Sequence, residues 1–420
     1  MNGLQEAVLL SGLNRRPTWS WDFASRGVLP PGATFTRATT ATYFNSAGVL
    51  SSASSGSARF DYDPVTGSPL GYLAEMASTN LLLRSAELDN ASWTTTRASV
   101  SANATTAPDG TATADKLVED ATAAATHRIF SNTIALTNSG VAASIFAKAG
   151  ERTAFRIEFA GGAGTFGSSF NLSTVAAVST DASTTARIRA VGNGWYRCSV
   201  EATWPSATNC NVFIYLQAVA GTTSYNGDGT SGMYFWGGQC ELGGVGLTSY
   251  IPTAGSTVTR NQDVLSLPLT SLPGWSASQG GVLVAAYRLH TIVPSGYGQH
   301  VAWINDGSAN NMITPFRSSG DNTMRSYFVS GGSDQVYQSV GSVPAPFTRQ
   351  KWATLWGTSR GGGAIDGGAF SGTSGSFSLP VGMTSISFGR YTDRNLQGTL
   401  ESIAYYRGAR SDAFVQAVSR

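Results

Sequence analysis

The chain has 420 residues, a formal net charge of +2 and only 12% charged residues, about half the share of an average globular protein. It contains no basic run, so local sequence supplies no phosphate-binding stripe, and nucleic acid is excluded as an expected partner. The length exceeds what one hydrophobic core supports, which predicts two or three domains.

The composition also indicates the fold class. Ser, Thr, Gly and Ala replace the missing charged residues, and hydrophobic residues make up 41%. Such a composition favours short strands joined by tight turns, so we expect an all-β protein. The start lacks the features of a signal peptide, and no stretch has the ~18 to 20 apolar residues of a membrane-spanning helix. We therefore expect a soluble protein with no membrane insertion.

Residues 1–85 have many turn residues and little periodicity, as in Pro30-Pro31-Gly32 and residues 61–67. A segment of this kind buries little apolar surface by itself. It is expected to be an attachment module that docks against another protein or against copies of itself. A short β-subdomain folded onto the next domain is the alternative.

Residues 86–262 show the alternation of half-buried strands, since Phe155, Ile157 and Phe159 alternate with polar residues. Evenly spaced strands without helical periodicity predict a two-sheet sandwich or jelly roll. The predicted strands are 142–148, 153–160, 186–191, 195–204, 211–219 and 232–242.

Residues 263–420 repeat the pattern and predict a second, tandem β-sandwich. Ser411 is a suitable N-cap, and Phe414, Val415 and Val418 form one apolar stripe, which predicts a short C-terminal helix docked on the edge of the sandwich. The predicted strands are 281–290, 299–304, 312–317, 324–329, 335–340, 351–358, 384–391 and 398–406.

The cysteines and histidines do not indicate a disulfide framework or a metal site. Cys198, Cys210 and Cys240 are too few for a framework, and we expect them to be buried, with the first two flanking a hairpin. The histidines lack the spacing of metal ligands; they are His127, His290 and His300.

Several stretches resemble modules of known proteins. Residues 35–43, followed by 48–50, 59–64 and 79–82, resemble the N-terminal module of many phage and prophage virion proteins. A second series is similar to the jelly-roll domain, akin to a carbohydrate-binding module, of the same proteins; it comprises 194–198, 227–232, Trp236, Gly237, Gln239, Glu241, 249–253, 258–260 and Asp263. Residues 387–390 and 398–412 resemble the end of a concanavalin A-like, laminin-G-type sandwich.

The resemblance implies a structural protein of a virion surface appendage, namely a tail fibre, baseplate or head spike subunit and commonly a homotrimer. Residues 1–85 would attach to other virion proteins, and the sandwiches 86–262 and 263–420 would mediate binding to host cell-surface polysaccharide. Assembly would occur in the cytoplasm of the bacterial host. A polysaccharide depolymerase and a purely architectural decoration or connector protein are the alternatives.

Sugars bind to flat aromatic faces flanked by polar groups, so aromatic residues on loops are the candidate carbohydrate-binding residues. The candidates are Tyr225, Tyr297, and Tyr391 with Asp393, Arg394 and Asn395. The strand tryptophans are instead spaced like core residues of sandwiches; they are Trp195, Trp236, Trp303, Trp352 and Trp356.

No catalytic residue is assigned, and the chain is not expected to be an enzyme. A glycosidase needs two carboxylates about 5 to 9.5 Å apart. Asp115, Glu119 and Asp120 occur in one polar stretch, and Asp393 and Glu401 bracket a strand. Neither set resembles the closely repeated acidic residues of concanavalin A-like glucanases.

A structural calcium ion is the one cofactor that the sequence leaves open. Asn226 and Asp228 supply oxygen atoms in a Gly-rich turn. Calcium needs about six to eight oxygen ligands. The four residues 226–229 cannot provide that many, so a plain turn is the favoured interpretation.

Overall fold

The computed structural model describes residues 16–137, 139–178, 180–242, 246–293 and 298–420. Within these residues, antiparallel strands account for nearly all of the regular structure. This confirms the predicted all-β fold. No helix in the described ranges is long and apolar enough to cross a membrane.

The elements up to residue 137 are β1 (Trp19–Asp22), α1 (Phe23–Arg26), β2 (Thr34–Thr36), β3 (Ala41–Phe44), β4 (Leu50–Ala53), β5 (Phe60–Tyr62), β6 (Pro69–Ala74), β7 (Ser78–Asn80), β8 (Thr94–Thr96), β9 (Ala98–Thr105), β10 (Ala114–Glu119), β11 (Arg128–Phe130) and β12 (Ile134–Ala135). They continue with β13 (Ser139–Lys148), β14 (Ala154–Gly161), β15 (Gly164–Asn171), β16 (Ala176–Val178), β17 (Thr184–Ala190), β18 (Trp195–Trp204), β19 (Asn209–Gln217), β20 (Gly232–Leu242) and β21 (Val258–Arg260).

The remaining elements are β22 (Val264–Pro268), 3-10 turns at Leu269–Ser271 and Ala277–Gln279, β23 (Gly281–Leu289), β24 (Gln299–His300), β25 (Ala302–Asn305), β26 (Met312–Ser318), β27 (Thr323–Ser330), β28 (Ser333–Ser342), β29 (Arg349–Trp356), β30 (Arg360–Ile365), β31 (Ser371–Ser374), β32 (Ser385–Phe388), β33 (Arg390–Tyr391), β34 (Arg394–Asn395), β35 (Gly398–Arg407) and α2 (Asp412–Val418). Each strand predicted from alternation between residues 142 and 406 overlaps one of these strands.

Contacts between residues divide the described chain into two compact units. Unit 1 comprises 16–37, 70–76 and 262–420, and unit 2 comprises 38–69 and 77–261. The described part of the segment 1–85 therefore supplies strands to both units. The proposed docking role of that segment stays a prediction.

Unit 2 is a sandwich of two antiparallel sheets. Their strand orders are β17-β18-β13-β20-β10-β9 and β16-β15-β14-β19-β11-β8, with β12 also paired to β19. The facing sides share one buried cluster that includes Ile145 of β13, Phe155 of β14 and Val200 of β18. The apolar side of β14 faces this core, as its alternation predicted.

The short hairpin of β3 and β4 belongs to unit 2 and packs on a second buried cluster. Phe44 and Leu50 contribute to this cluster beside Phe146, Trp236 and Tyr250. Residues of the N-terminal segment thus help to build the wall of the jelly-roll-like unit.

Unit 1 is also built from two antiparallel sheets. Their strand orders are β31-β30-β29-β23-β35-β6, with β1 also paired to β35, and β2-β22-β32-β25-β26-β27-β28, with β24 also paired to β26. Gly361 lies in β30, where an added Cβ atom would come within 2.5 Å of the Val336 side chain. The Gly-rich run of β30 therefore allows the two sheets to approach closely.

The predicted C-terminal helix is confirmed, but its position differs from the prediction. The Ser411 hydroxyl accepts a hydrogen bond from the Phe414 N–H at 3.2 Å and caps α2. Phe414 and Val415 pack with Val282 of β23 and Leu355 of β29. These two strands are neighbours inside the sheet, so α2 lies over its face and not on its edge.

All three cysteines are free and buried, as predicted. The hairpin expected between Cys198 and Cys210 is wrong, because β18 and β19 belong to opposite sheets of the sandwich. The connection crosses from one sheet to the other because the apolar sides of both strands face the same core.

Candidate functional site

A cleft of about 500 Å³ opens on unit 2. This volume lies within the range of about 300 to 1,000 Å³ that is typical of small-ligand sites. Trp236, Tyr250 and Asp115 are nearly buried at its floor, with at most 3% of each residue exposed. The cleft is lined by Thr42, Leu50, Ser52, Ala86, Glu87, Asp89, Asn103, Asp109, Thr111, Thr113, Asp115, Trp236, Tyr250 and Pro252.

The aromatic floor is held by hydrogen bonds at both rings. The Trp236 Nε1–H donates to Thr113 Oγ1 at 3.1 Å, and the Tyr250 hydroxyl lies 2.7 Å from Ser85 Oγ. The two ring centroids are 4.9 Å apart and the planes are tilted by 52°. With at most 3% of either residue exposed, these rings close the bottom of the cleft and leave little aromatic surface to a ligand.

A β-bulge places Trp236 at this floor. Between β13 and β20 the register shifts, so that Ser144 opposes Gln239 but Phe146 opposes Trp236. Gly237 occupies the bulge with a φ of 65°, which favours glycine. The extra residue interrupts the alternation, so that Phe235 before the bulge and Cys240 after it face the same core while Trp236 faces the cleft.

Residues from the N-terminal segment form one wall of the cleft. Thr42 Oγ1 donates to the Tyr250 carbonyl at 2.5 Å, and the Leu50 N–H donates to the Pro108 carbonyl at 3.0 Å. Ser52 is exposed at the rim. The cleft is thus assembled from segments that are far apart in the sequence.

Asp115 is a buried carboxylate that fixes two other segments of the cleft. Its two oxygens accept the Asn103 N–H at 2.8 Å and the Leu88 N–H at 2.7 Å. Burial raises the pKa of Asp115, the backbone hydrogen bonds oppose this effect, and the charge of Asp89 adds to it; the net direction is upward.

Asp109 is positioned by its own turn. One carboxylate oxygen accepts the Thr111 N–H at 3.0 Å and the Thr111 hydroxyl at 2.6 Å. The Thr111 and Thr113 hydroxyl oxygens lie 2.6 Å apart. The Thr111 and Thr113 hydroxyls therefore connect the Asp109 carboxylate to the Trp236 ring. Hydroxyl groups can donate and accept hydrogen bonds, so the rim offers both to a ligand.

The lining is acidic. Glu87, Asp89, Asp109 and Asp115 contribute carboxylates, and no lysine or arginine is among the described residues of the lining. Glu87 pairs with Arg84 at 3.2 Å. Asp89 and Asp109 form no ion pair within the described part of the chain.

Tyr225, a predicted carbohydrate-binding residue, lies outside the cleft in a polar cluster of unit 2. Its hydroxyl donates to Glu119 Oε2 at 2.6 Å, its ring centroid is 4.7 Å from that of His127, and Arg152 lies over the ring at 5.3 Å. Burial and the neighbouring Glu119 raise the pKa of Tyr225. The ring is therefore engaged by neighbouring residues of the protein.

Four of the predicted residues of unit 1 lie on the hairpin of β33 and β34. The Tyr391 ring stacks on His300 at 4.6 Å between centroids, Asp393 is exposed, and Arg394 is half-buried. Burial, followed by the charge of Arg394, lowers the pKa of His300 to about 3. Asn395 is fully buried and donates to the Asp263 carbonyl at 2.7 Å, so it does not face a ligand. Tyr297 lies outside the described residues.

The turn that suggested calcium is held by its own hydrogen bonds. Asp228 accepts the N–H groups of Thr230 and Ser231 at 2.8 and 2.7 Å and both of their hydroxyls. These bonds lower the pKa of Asp228. Asn226 Oδ1 accepts the Ala124 N–H at 2.8 Å. In the described ranges, no group of three His, Cys, Asp or Glu side chains is arranged to hold a metal ion.

The other acidic residues considered from the sequence have separate structural roles. Glu119 binds Arg152 at 2.5 Å, and Asp120 lies 3.4 Å from His127 Nδ1. Glu401 pairs with Arg288 and Arg349 at 3.0 and 2.8 Å. Asp115 alone among them lines the cleft.

The cleft could not be predicted from the sequence because its residues come from four distant stretches. The acidic residues and the Asp109-Gly110 turn are visible in the sequence, but nothing in their spacing places them beside Trp236. Trp236 was correctly predicted to be a core residue. Its additional place on the cleft floor follows from a bulge that alternation does not reveal.

No family model and no curated protein matches the chain. Solved structures with a similar fold include the CBM40 of Ruminococcus gnavus IT-sialidase, with 12% identity over 34% of this chain and 84% of that chain and a TM-score of 0.29. Mouse laminin alpha1 chain domains LG4-5 match with 12% identity over 66% and 83% of the two chains and a TM-score of 0.21. The LG1-3 region of the laminin alpha2 chain matches with 11% identity over 69% of this chain and 66% of that chain, with a TM-score of 0.24. Function is not transferred at these identities and TM-scores.

Proposed function

We propose that this protein binds glycans and that unit 2 holds the glycan in its acidic cleft. The cleft itself carries this proposal, because it has the volume of a small-ligand site and a rim of hydroxyl and carboxylate groups. A sugar ring presents a circle of hydroxyl donors. Carboxylate and hydroxyl oxygens accept hydrogen bonds from such donors.

The test is binding of the full chain to a panel of oligosaccharides and host polysaccharides. Ser52→Trp places a large side chain on the exposed rim and should abolish binding without unfolding the protein. Ser101→Trp is the matched control, since Ser101 is exposed on β9 but does not line the cleft. Equal loss of binding in both variants, or no binding by the unaltered chain to any glycan or host cell, would refute the proposal.

We further propose that the glycan-binding protein is a subunit of a virion surface appendage. The resemblance of residues 35–82 and 194–263 to modules of phage and prophage virion proteins supports this assignment. In it, the chain attaches to other virion proteins through its N-terminal segment, assembles as a homotrimer in the host cytoplasm and recognises host polysaccharide. Electron microscopy of labelled particles tests the location, and light scattering of the purified chain tests the trimer; a particle without the label or a monomeric mass contradicts the respective part.

The proposed role is binding without catalysis. Asp115 is the cleft carboxyl with a raised pKa, which is a property of acid catalysts. However, both of its oxygens already accept backbone N–H groups, an arrangement that suits a structural carboxylate. A depolymerase would release oligosaccharides from the bound polysaccharide, so a reducing-end assay during long incubation tests this point.

A further inference from the structure

The carboxylates of the cleft differ in how far their charge is already compensated. Asp115 is satisfied by backbone groups, and Glu87 has Arg84 beside it. Asp89 is exposed on the rim, and Asp109 uses one oxygen for the Thr111 contacts. Asp89 and Asp109 are therefore the two carboxylates of the cleft that remain available to bind a ligand.

The neighbouring groups respond to this negative charge. The charge of Asp89 contributes to the raised pKa of Asp115. Burial raises the pKa of Tyr250, the hydrogen bond with Ser85 and the charge of Arg197 oppose this effect, and the charges of Asp109 and Glu87 add to it. Arg197 does not line the cleft, and the charged groups among the described lining residues are all carboxylates.

The sign of this field discriminates between classes of sugar. A uronic acid, a sialic acid or a phosphorylated sugar would bring a second negative charge against Asp89 and Asp109, and like charges in an interface suppress binding. A neutral sugar donates ordinary hydrogen bonds. An ammonium group donates charge-assisted hydrogen bonds, which are about twice as strong.

We infer that the cleft of unit 2 selects a glycan residue that carries a primary ammonium group, with Asp89 and Asp109 as its carboxylate partners. This inference rests on the proposed glycan-binding function and specifies its ligand class. A cavity of suitable volume, its lining without a described basic side chain, and the two carboxylates without basic partners are the observations that support it.

The experiment compares three classes of short oligosaccharide by calorimetry on the full chain at neutral pH. The probes are glucosamine oligomers, the N-acetylated oligomers of the same length and linkage, and an anionic set of galacturonate oligomers and sialyllactose. The glucosamine oligomers should bind at least about tenfold more tightly than the N-acetylated ones. The anionic set should show no measurable binding.

Two isosteric variants locate the effect. Asp89→Asn and Asp109→Asn should each reduce the affinity for glucosamine oligomers about tenfold and the affinity for N-acetylated oligomers much less, because the Asn oxygen still accepts a neutral hydrogen bond but carries no charge. Asn keeps the acceptor oxygen for Thr111, so the turn at Asp109 is preserved. Glu151→Gln is the matched control, because Glu151 is an exposed carboxylate of unit 2 outside the cleft; it should change neither affinity.

The outcomes separate this inference from the proposed function. If the N-acetylated or anionic oligomers bind as tightly as the glucosamine oligomers, or if the Asn variants weaken the glucosamine and N-acetylated oligomers by the same factor, the ammonium preference is wrong while glycan binding stands. If no probe and no host polysaccharide binds, both fail. Loss of binding in Glu151→Gln as well would show a general charge effect and would also overturn the inference.

Discussion

Glu119 shows how one buried carboxylate organises a whole loop of unit 2. Its side chain is fully buried, yet it accepts hydrogen bonds from Arg152, Tyr225 and the Asp228 backbone N–H. Burial alone would raise the pKa of Glu119, but these hydrogen bonds outweigh burial and hold the pKa below its ordinary value. The loop that carries Tyr225 is thus fixed to strand β10 by an ionised group.

Removal of the Arg152 guanidinium from this cluster should lower the stability of unit 2. In Arg152→Met, Glu119 is left buried without its charged partner, and we expect a loss of about 3 kcal/mol in the free energy of unfolding. Lys116→Met is the control, because Lys116 pairs with the exposed Glu151 and such pairs contribute less than about 1 kcal/mol. Urea unfolding followed by hydrogen exchange of peptides from unit 2 measures both. Similar values for the two variants would contradict the assigned role.

The same cluster predicts a pH dependence with a definite sign. Since the folded-state pKa of Glu119 is lowered, its contribution is complete above the unfolded-state value of 4.5 and is lost as the pH falls through the folded-state value. Glu119→Gln should therefore destabilise unit 2 at pH 7, and the difference from the unaltered protein should shrink on acidification below pH 4.5. Unfolding free energies measured across this range test the sign; a difference that grows on acidification refutes it.

At the scale of elements, the bulge in β20 links sheet geometry to the cleft. Gly237 combines a φ of 65° with close contact, since an added Cβ atom would lie 2.8 Å from the Phe146 ring. The adjacent Trp236 forms the floor of the cleft. The bulge therefore controls both the packing of β20 on β13 and the shape of the binding surface.

Gly237→Ala should disturb both properties. The left-handed backbone costs about 1 to 2 kcal/mol for a non-glycine residue, and the contact with Phe146 adds to this cost. Gly56→Ala is the control for the backbone strain alone. Gly56 has a φ of 74°, and no atom lies within 4 Å of the added Cβ, so only the backbone contribution to the free energy of unfolding changes. We expect Gly237→Ala to lose more stability than Gly56→Ala and also to lose glycan binding. Full binding by a folded Gly237→Ala variant would show that the bulge does not shape the cleft.

β20 also shows what the sequence predicts about strands and what it does not. The bounds Gly232–Leu242 and those of β18 agree with the prediction, because long stretches rich in apolar residues between Gly, Asn, Asp, Ser or Pro clusters are visible in the sequence. Strands of three or four residues, such as β2 and β3, have too few residues to show a period. Their formation depends on partners far away in the chain, as in the pairing of Thr34 with Ser266.

At the scale of the molecule, both units are discontinuous in sequence. In unit 1, the N-terminal strand β2 pairs with β22, and β1 and β6 both pair with β35. A buried ion pair of 2.9 Å joins Arg37 to Asp263. The domains predicted from the sequence were consecutive segments, because composition and periodicity change along the chain. Long-range strand pairing leaves no local signal in the sequence.

This interleaving makes a prediction about fragments. Residues 265–420 contain the predicted C-terminal sandwich but lack β1, β2 and β6, so the free edge of β35 is uncovered and Phe388 loses the packing of Trp19 and Phe23. We expect this fragment to aggregate or to lack fixed side-chain packing, because exposed strand edges pair with other chains. Near-UV circular dichroism and size-exclusion chromatography measure both properties.

The matched control restores the missing strands. A chain in which residues 16–37 and 70–76 are joined to 262–420 by flexible Gly/Ser linkers should be monodisperse and unfold cooperatively, because it contains every described strand assigned to unit 1. If the fragment 265–420 is itself monodisperse with a native near-UV spectrum, the N-terminal strands are dispensable to the fold of unit 1. The described N-terminal residues would then be free to act elsewhere, as the docking role of the first 85 residues requires.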